Sequence, residues 1–402
     1  MMQDLAPRSA YLHIPFCHRR CFYCDFAVVP LGDHAGGEGS GAIRAYLDWI
    51  RQEIDAVPAG PPLSTVYLGG GTPSMLSPQQ VGSLLQTLGD RFGLAAAAEV
   101  TMELDPASFA EQQLTAYRQV GVNRVSLGAQ SFDDGVLVRL GRRHRAAAVR
   151  QACGWLRRAG LRSWNLDLIA ALPGQSMAHW SASLAAALAE APPHLSVYEL
   201  TIEPGTVFGR QLERGQLDLP GEDAALEMLL ATHYTLVAAG YGHYEISSFA
   251  LPGHVARHNR VYWSGANWWG FGMGATSAIG AVRVARPRTR MAYRRWLEQP
   301  RPAPLPPQPL ERLEDLLIVG LRRREGVSLA RLEALTGLMP GTLDGLGDAL
   351  AWAVREALLC IEGRRLRLTA PLGFARSNQV LRSGLAWLEG VVPLPCKRPS
   401  PG

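Results

Sequence analysis

Short apolar runs alternate with amphipathic stretches over about the first 200 residues, and this alternation limits the possible folds more than any other feature. A strand that is followed by a helix and then by a second strand forms a parallel pair. The pattern therefore predicts a parallel sheet wrapped by helices. The predicted strands are 10–14, 65–68, 100–104, 124–127, 165–169 and 195–200, and the predicted helices lie near 41–57, 78–91, 108–119, 147–159 and 178–190.

Six such units suit an α/β fold, a partial (β/α)6 barrel, in which functional groups follow the carboxyl ends of the strands. We assign residues 1–240 to this barrel. A stretch rich in glycine and aromatic residues, 241–299, is predicted to be an irregular cap or a set of extended strands. We expect a proline-rich linker at 300–310, a small helical, winged-helix-like domain with a hairpin at 311–380, and a tail at 381–402.

Composition excludes several classes of protein. The six cysteines in 402 residues are too few for a disulfide scaffold. The N-terminus lacks the pattern of an export signal and we find no long apolar run, so we expect a cytoplasmic protein with reduced cysteines. The net charge of +5 is weak for this length, and we expect no nucleic-acid partner.

Three cysteines, Cys17, Cys21 and Cys24, follow the first predicted strand with C-x3-C-x2-C spacing. Cysteine thiolates bind iron and zinc well. Structural zinc requires four ligands, so a zinc site needs His13 or His18 to complete it. An iron–sulfur cube held by three cysteines instead leaves one iron open to a further ligand.

The segment YLHIPFCHRRCFYCDF resembles the signature of the radical S-adenosylmethionine (SAM) superfamily. The resemblance implies a [4Fe–4S] cluster on these three cysteines, with SAM chelating the open iron. It also implies that the reduced cluster donates an electron to SAM.

A run of glycines, GGGTP at 69–73, follows the second predicted strand. Consecutive glycines let a backbone approach a ligand closely, although they also suit a plain turn before a helix that begins at Ser77-Pro78. In the superfamily a similar motif holds the amino group of SAM. The resemblance therefore assigns Gly70, Gly71 and Thr72 to cofactor binding.

Polar residues follow or interrupt three later strands. Glu103 ends the third strand, where a carboxylate can accept a hydrogen bond from a ribose hydroxyl, and Gln130 follows the fourth. Asp167 lies within the apolar fifth strand, where an unpaired charge is costly. We therefore expect Asp167 to point into the barrel and to pair with Arg142.

From Tyr11 to about residue 380, the chain resembles the oxygen-independent coproporphyrinogen III oxidase-like group. The segments YELTIEPGT, YEISSFA, HNRVYW and GFGMGA are similar to those of this group. In the related dehydrogenases, matching residues contact SAM, which implies SAM contacts at Tyr11, Tyr23, Gly70, Glu103, Gln130, Arg142 and Asp167.

Two departures favour a branch of this group, the HemW family of heme chaperones. The dehydrogenases carry a fourth cysteine where this chain has Phe26, and they have a longer segment before the cluster. The resemblance implicates the motif H-N-x-x-Y-W in heme binding, here at His258, Tyr262 and Trp263. An imidazole can ligate heme iron, aromatic rings can pack on the porphyrin, and the arginines between 283 and 301 can pair with its carboxylates. His254, His243 and His13 compete as axial ligands.

The first hypothesis is a heme carrier that binds a [4Fe–4S] cluster, SAM and heme and passes heme to an acceptor protein. The second is a coproporphyrinogen III dehydrogenase, and the third is a radical SAM enzyme with another substrate. The sequence names no catalytic residue, electron donor or acceptor. It leaves open a homodimer and a transient contact with a membrane surface.

Overall fold

Six parallel strands in chain order form the centre of the computed structural model, which describes residues 6–32, 36–300 and 306–391. Each predicted strand is confirmed to within a few residues. Their centres are almost wholly buried, because helices cover the outer face and the barrel interior lies on the other. The strands are β1 (Ser9–Ile14), β2 (Leu63–Gly70), β3 (Leu94–Leu104), β4 (Arg124–Gln130), β5 (Ser163–Ala170) and β6 (His194–Glu199).

Serine caps mark the beginning of the first two helices between the strands. Ser40 and Ser77 accept hydrogen bonds from backbone amides of the first turn, and Pro78 occupies the first turn of its helix. The barrel helices are α1 (Gly41–Asp55), α2 (Pro78–Phe92), α3 (Glu111–Gln119), α4 (Asp134–Arg139), α5 (Ala146–Arg158), α6 (Met177–Ala189), α7 (Val207–Glu213) and α8 (Glu222–Ala238).

The segment after residue 240 extends both edges of the sheet. Strands β7 (Gly242–Glu245) and β8 (Ser248–Ala250) continue it beyond β6 in antiparallel fashion, whereas β9 (Trp269–Phe271) pairs in parallel with β1. Within the described residues the sheet thus has nine strands, in the order β9-β1-β2-β3-β4-β5-β6-β8-β7. A hairpin of β10 (Thr276–Ile279) and β11 (Val282–Ala285) follows, and then helix α10 (Arg290–Glu298).

The expectation that this segment lacks a helix is wrong at the HNRVYW motif. Residues Arg257–Trp263 form helix α9, which packs against β2 and β3. The motif is too short to show helical periodicity. Glu99 stabilises the start of this helix, because its carboxylate accepts hydrogen bonds from the amides of Arg257 and His258 in the first turn.

The C-terminal part has a hydrophobic core of its own, built mainly from leucines. The predicted hairpin is confirmed. The helical stretch before it is interrupted at Leu350, because three glycines between 341 and 347 weaken its first half. The elements are α11 (Pro309–Leu321), β12 (Val327–Ser328), α12 (Leu329–Thr336), α13 (Leu346–Ala349), α14 (Ala351–Arg355), β13 (Leu359–Glu362), β14 (Arg365–Leu368), α15 (Leu372–Ala375) and α16 (Ser377–Val391).

This C-terminal part docks on the edge strands of the barrel. The amide of Ile246 donates to the carbonyl of Arg322, and the amide of Arg324 donates to the carbonyl of Tyr244. Part of the predicted linker, 301–305, and the end of the predicted tail, 392–402, lie outside the described residues. In the part of the chain that the structure describes, no helix combines the length and apolar character needed to cross a bilayer.

Candidate functional site

A loop between β1 and α1 carries the three clustered cysteines. A short parallel pair, Phe16–Cys17 with Val29–Pro30, closes this loop at its base, and the amide of Cys24 donates to the carbonyl of Cys21 across a turn. The loop therefore turns all three thiols into one cavity of about 430 Å³ at the carboxyl ends of the barrel strands, which we call the first cavity.

The first cavity brings together most of the site residues predicted from the sequence. It is lined by Cys17, Cys21, Tyr23, Cys24, Gly70, Gly71, Thr72, Glu103, Gln130, Arg142 and Asp167.

The three thiols are not arranged as ligands of a single metal ion. Among residues 6–32, 36–300 and 306–391, no three Cys, His, Asp or Glu side chains converge as one metal ion requires. His13 donates from Nε2 to the carbonyl of Ala27 and accepts at Nδ1 from the hydroxyl of Tyr11, whereas His18 makes a 3.1 Å hydrogen bond from Nδ1 to the carbonyl of Gly32. Burial raises the pKa of the Cys17 thiol to about 12, and a cluster would have to displace that proton.

The glycines after β2 are required by packing as well as by any ligand. The amides of Gly71 and Thr72 donate to the carbonyls of Ile14 and Phe16, so this segment lies against the start of the cysteine loop. A Cβ on Gly71 would lie 2.6 Å from the carbonyl oxygen of Phe16, and Gly70 has a φ of +120°. The glycine segment therefore does make the predicted close approach, but what it approaches in this structure is the backbone at the start of the cysteine loop.

Glu103 lies beside this glycine segment. Its carboxylate accepts hydrogen bonds from the amide of Gly70 and from the hydroxyl of Tyr67, both at 2.9 Å. Burial raises the pKa of Glu103 to about 7, although these two hydrogen bonds oppose the shift. The side chain is thus fixed at the end of β3, and its raised pKa makes it easier to protonate than an exposed glutamate.

The expected pair of Asp167 with Arg142 is wrong. Arg142 donates to Asp105 at 2.7 Å and to the carbonyl of Gly128 at 2.8 Å, and its other terminal nitrogen lies 3.5 Å from the sulfur of Cys21. Burial alone would raise the pKa of Asp105, but Arg142 and His144 hold it well below its usual range. Arg142 therefore joins the cysteine loop to the end of β3.

Asp167 is satisfied by neutral groups of its own and the adjacent strand. Ser126 donates to it at 2.8 Å and Asn165 at 2.7 Å, because Ser126 faces Asn165 in the sheet and residues two apart share a face. Burial raises the pKa of Asp167. The prediction that this side chain points into the barrel is consistent with its place in the first cavity, whereas the predicted partner is not.

Gln130 has an unusual backbone. It has a φ of +65° at a bulge in β4, a region that residues other than glycine seldom adopt. Strained backbone of this kind is concentrated at functional sites. The bulge also presents the carbonyl of Gly128 to Arg142.

A second cavity, of about 420 Å³, lies on the other side of the cysteine loop and shares Asp25 and Phe26 with the first. Four of the residues that line it are Tyr, Phe or Trp, and Arg288 adds a cation to the wall. It is lined by Tyr11, His13, Asp25, Phe26, Ala27, Tyr262, Trp268, Gly274, Ala275, Thr276 and Arg288. Tyr11, which the resemblance assigned to SAM, lies here.

The three residues of the H-N-x-x-Y-W motif have different environments. His258 is fully buried, with Nδ1 2.8 Å from the hydroxyl oxygen of Thr65 and Nε2 2.8 Å from that of Tyr262. Burial lowers the pKa of His258 to about 3, so the ring is neutral. Tyr262 lines the second cavity, whereas the ring of Trp263 contacts the guanidinium of Arg322 at 5.6 Å.

The competing histidines are also engaged. The ring of His243 stacks on Phe249 and lies 2.9 Å from His233, and His254 makes a 3.1 Å hydrogen bond to Ser163.

Four of the described arginines between 283 and 301 have acidic partners. Arg283 pairs with Asp315, Arg286 with buried Glu53, Arg288 with Asp25, and Arg294 with Glu298.

Sequence reasoning missed Asp105, Tyr67 and the role of His13 as a support of the loop. Asp105 lies two residues after Glu103, just beyond the end of β3, and this position was a signal that a second carboxylate faces the site. Tyr67 meets Glu103 on the neighbouring strand, and His13 meets the carbonyl of Ala27 in the cysteine loop, so only the fold brings these partners together.

A parallel barrel with three cysteines after its first strand defines a radical SAM protein. The family model described as the Radical SAM superfamily matches residues 11–187, and the HemN C-terminal domain matches residues 308–371. The solved structure of coproporphyrinogen III oxidase (HemN) from Escherichia coli has a TM-score of 0.78 at 24% identity, covering 95% of this chain and 90% of that one. It shows the shared fold.

Relatives at higher identity define the family. The heme chaperone HemW of a Synechocystis strain is 38% identical over 96% of this chain and 98% of its own length. The heme chaperone HemW of Escherichia coli is 39% identical over 69% of this chain and 72% of its own length. The chain belongs to the HemW family.

Proposed function

We propose that this protein is a heme chaperone that holds a [4Fe–4S] cluster and SAM in the first cavity, binds heme in the second cavity and transfers that heme to an acceptor protein. The observation that carries the proposal is the pair of cavities on either side of one cysteine loop. A cavity lined by three thiols and by polar groups at the strand ends suits a cluster and a zwitterionic nucleotide. A cavity lined in part by aromatic rings and by an arginine suits a flat macrocycle with carboxylates.

In the first cavity, Cys17, Cys21 and Cys24 would ligate three irons and leave the fourth to SAM. When bound, the cluster supplies an electron that can cleave the sulfonium. The walls would orient SAM: Gly70, Gly71 and Thr72 by backbone groups, and Glu103, Gln130 and Asp167 by side chains. Tyr23 would cover the ligand from the cysteine loop.

Arg142 has a supporting role in the same proposal. It lies 3.5 Å from the sulfur of Cys21 and is neutralised by Asp105 at 2.7 Å. A cation next to a thiolate stabilises its charge, and the Asp105 pair fixes the direction of the guanidinium. Arg142 would therefore hold the loop in the shape that the cluster requires.

A coproporphyrinogen III dehydrogenase is the second candidate function, favoured by the structural match to HemN. Phe26 argues against it, because the dehydrogenases that this sequence resembles have a cysteine at this position. Here Phe26 is 55% exposed and lines both cavities. An exposed aromatic ring between the two cavities suits contact with a porphyrin.

The first test loads the protein without oxygen and measures iron, sulfide and SAM binding. Wild-type protein should hold about four irons and four sulfides per chain. Cys17→Ser should lose nearly all of both and its broad visible absorbance, whereas Cys153→Ser, which changes a buried cysteine of α5, should keep them. Full cluster loading in Cys17→Ser would overturn the cluster assignment.

The second test follows the cargo. Hemin is titrated into the cluster-loaded chain, and the complex is mixed with an apo-form of a heme protein of the same cell. Saturable binding at one equivalent, followed by transfer that is faster than transfer from free hemin, supports the chaperone. Conversion of coproporphyrinogen III to protoporphyrinogen would instead establish the dehydrogenase.

A further inference from the structure

We propose that the oxygen of Tyr262, and not a histidine nitrogen, ligates the iron of ferric heme bound in the second cavity, with His258 as the hydrogen-bond partner that positions this oxygen. The inference rests on the proposed function, since it takes the second cavity as the heme site. It assigns the axial ligand, for which the sequence favoured His258.

The imidazoles near this cavity have no free lone pair. A neutral imidazole has one N–H donor and one lone pair, and hydrogen bonds engage both in His258 and in His13. For either ring to reach iron, a buried hydrogen bond would have to break. His258 also lies behind the cavity wall, with no exposed surface.

A phenol oxygen differs, because it keeps a further lone pair while it is hydrogen-bonded. Tyr262 lines the cavity directly, and Trp268 packs on its ring edge-to-face at 4.9 Å, which adds aromatic surface on the same side. Tyrosine is an established axial ligand of heme in other proteins. The cavity therefore offers iron an oxygen that needs no rearrangement of the buried histidine.

The hydrogen bonds behind Tyr262 suit this role. In one tautomer of His258, the hydroxyl of Thr65 donates to Nδ1 and the Nε2–H donates to the Tyr262 oxygen, at 2.8 Å in each case. The Fe–O bond then forms as the phenol O–H bond breaks, and the proton leaves to water. Iron stays ferric, and His258 stays neutral and stabilises the phenolate through its N–H.

Tyr11 is the alternative phenol in the same cavity, with its hydroxyl 2.9 Å from Nδ1 of His13. Two observations favour Tyr262. Tyr11 lies in the centre of β1 between β2 and β9, so the sheet fixes its position. Tyr262 lies on the seven-residue helix α9 at the molecule's surface, where a small shift can adjust an Fe–O bond.

The test uses hemin as the probe on the cluster-loaded full chain, with resonance Raman and EPR spectra of the ferric complex. Wild-type protein should show iron–phenolate vibrations and a high-spin signal. Tyr262→Phe, which keeps the ring and removes only the oxygen, should lose these vibrations and bind hemin at least about tenfold more weakly. His258→Gln should keep them with a shifted frequency, because only the hydrogen bond to the oxygen changes.

Tyr11→Phe and Trp263→Phe are the matched controls and should keep the phenolate vibrations. An imidazole-ligated spectrum that His258→Gln abolishes would overturn the inference, as would vibrations that disappear in Tyr11→Phe and persist in Tyr262→Phe. Both results leave the heme-carrier proposal intact. If wild-type protein binds no hemin, the proposed function fails first and the inference with it.

Discussion

The two cavities share the wall formed by Asp25 and Phe26, yet the chain builds them differently. The first cavity is formed where successive parallel strands end, so its polar groups follow one another along the sequence at regular intervals. The second is assembled from β1, the cysteine loop, α9 and the segment around β10, most of which are far apart in the chain. Its hydrogen bonds join partners such as Thr65 and His258, 193 residues apart.

This difference determines how each cavity should respond to mutation. In the first, side chains are held by the sheet and by buried charge, so single changes should have large effects on folding as well as on binding. In the second, aromatic rings and small residues form the wall, and Arg288 is mostly exposed. Single changes there should alter affinity by modest factors and leave the fold intact, except where iron itself is ligated.

Gly71→Ala, in the first cavity, should have the largest effect. The added Cβ would lie 2.6 Å from the carbonyl oxygen of Phe16, so the start of the cysteine loop must move. Overpacking of this kind costs about 1–3 kcal/mol of stability. We expect lower stability in urea unfolding and SAM affinity reduced at least about tenfold, measured by calorimetry.

Gly89→Ala is the matched control for this change. Gly89 lies inside α2, and an added Cβ would meet no atom within 4 Å. This change should raise stability by about 0.5–1 kcal/mol and leave SAM binding unchanged. Equal behaviour of the two variants would show that the first cavity does not depend on the close approach of Gly71.

Glu103→Gln should have an intermediate effect that depends on pH. In the folded state the pKa of Glu103 is raised by burial to about 7, whereas the unfolded value is near 4.3. Between these values the folded state binds more protons, so stability falls as pH rises and is level above about pH 7. The glutamine oxygen would accept from the amide of Gly70, and the glutamine NH2 group would donate to the hydroxyl oxygen of Tyr67, so both neighbours stay bonded without a charge. The free energy of unfolding of the variant should therefore exceed that of wild type by about 1–3 kcal/mol at pH 8 and by little near pH 4, as measured by urea unfolding at each pH.

Glu245→Gln separates the electrostatic effect from ligand binding. Burial also raises the pKa of Glu245 to about 7, but this residue lies in β7, where the C-terminal part docks. Both variants should therefore flatten the decline in stability with pH, and only Glu103→Gln should weaken SAM binding. If the Glu103→Gln variant kept the wild-type pH dependence of stability and the wild-type SAM affinity, this carboxylate would be solvated and would not contribute to SAM binding.

The sequence predicted the first cavity much better than the second. Strand ends are visible in a sequence as polar residues after apolar runs, which is how Glu103 and Gln130 were found, whereas Asp167 was found as a charge inside an apolar run. The partner of Asp167 could not be predicted, because a pattern shows which residue is buried but not which neighbour is nearest. The H-N-x-x-Y-W motif marked the second cavity, but the hydrogen bond from Thr65 that engages His258 comes from β2 and is invisible in the motif.

Arg288→Ala should have the smallest effect, and it tests whether the second cavity recognises carboxylates. Arg288 is 63% exposed and bonds to the carboxylate and the carbonyl of Asp25, so a propionate of heme would compete with Asp25 for the guanidinium. Exposed pairs contribute about 0.5–1 kcal/mol, which corresponds to a two- to fivefold loss of hemin affinity. The loss should be smaller in high salt, because exposed charges are screened.

Hemin dimethyl ester sharpens this last comparison, because it keeps the macrocycle and iron but lacks the carboxylates. Wild type and Arg288→Ala should bind the ester with equal affinity. Arg294→Ala is the matched control: it removes an exposed arginine of α10 that pairs with Glu298, and it should bind hemin with wild-type affinity. Asp25→Asn should raise hemin affinity slightly, since the competing carboxylate is gone. If Arg288→Ala weakened hemin and its ester alike, Arg288 would act by shaping the cysteine loop, and carboxylate recognition would have to lie elsewhere in the cavity.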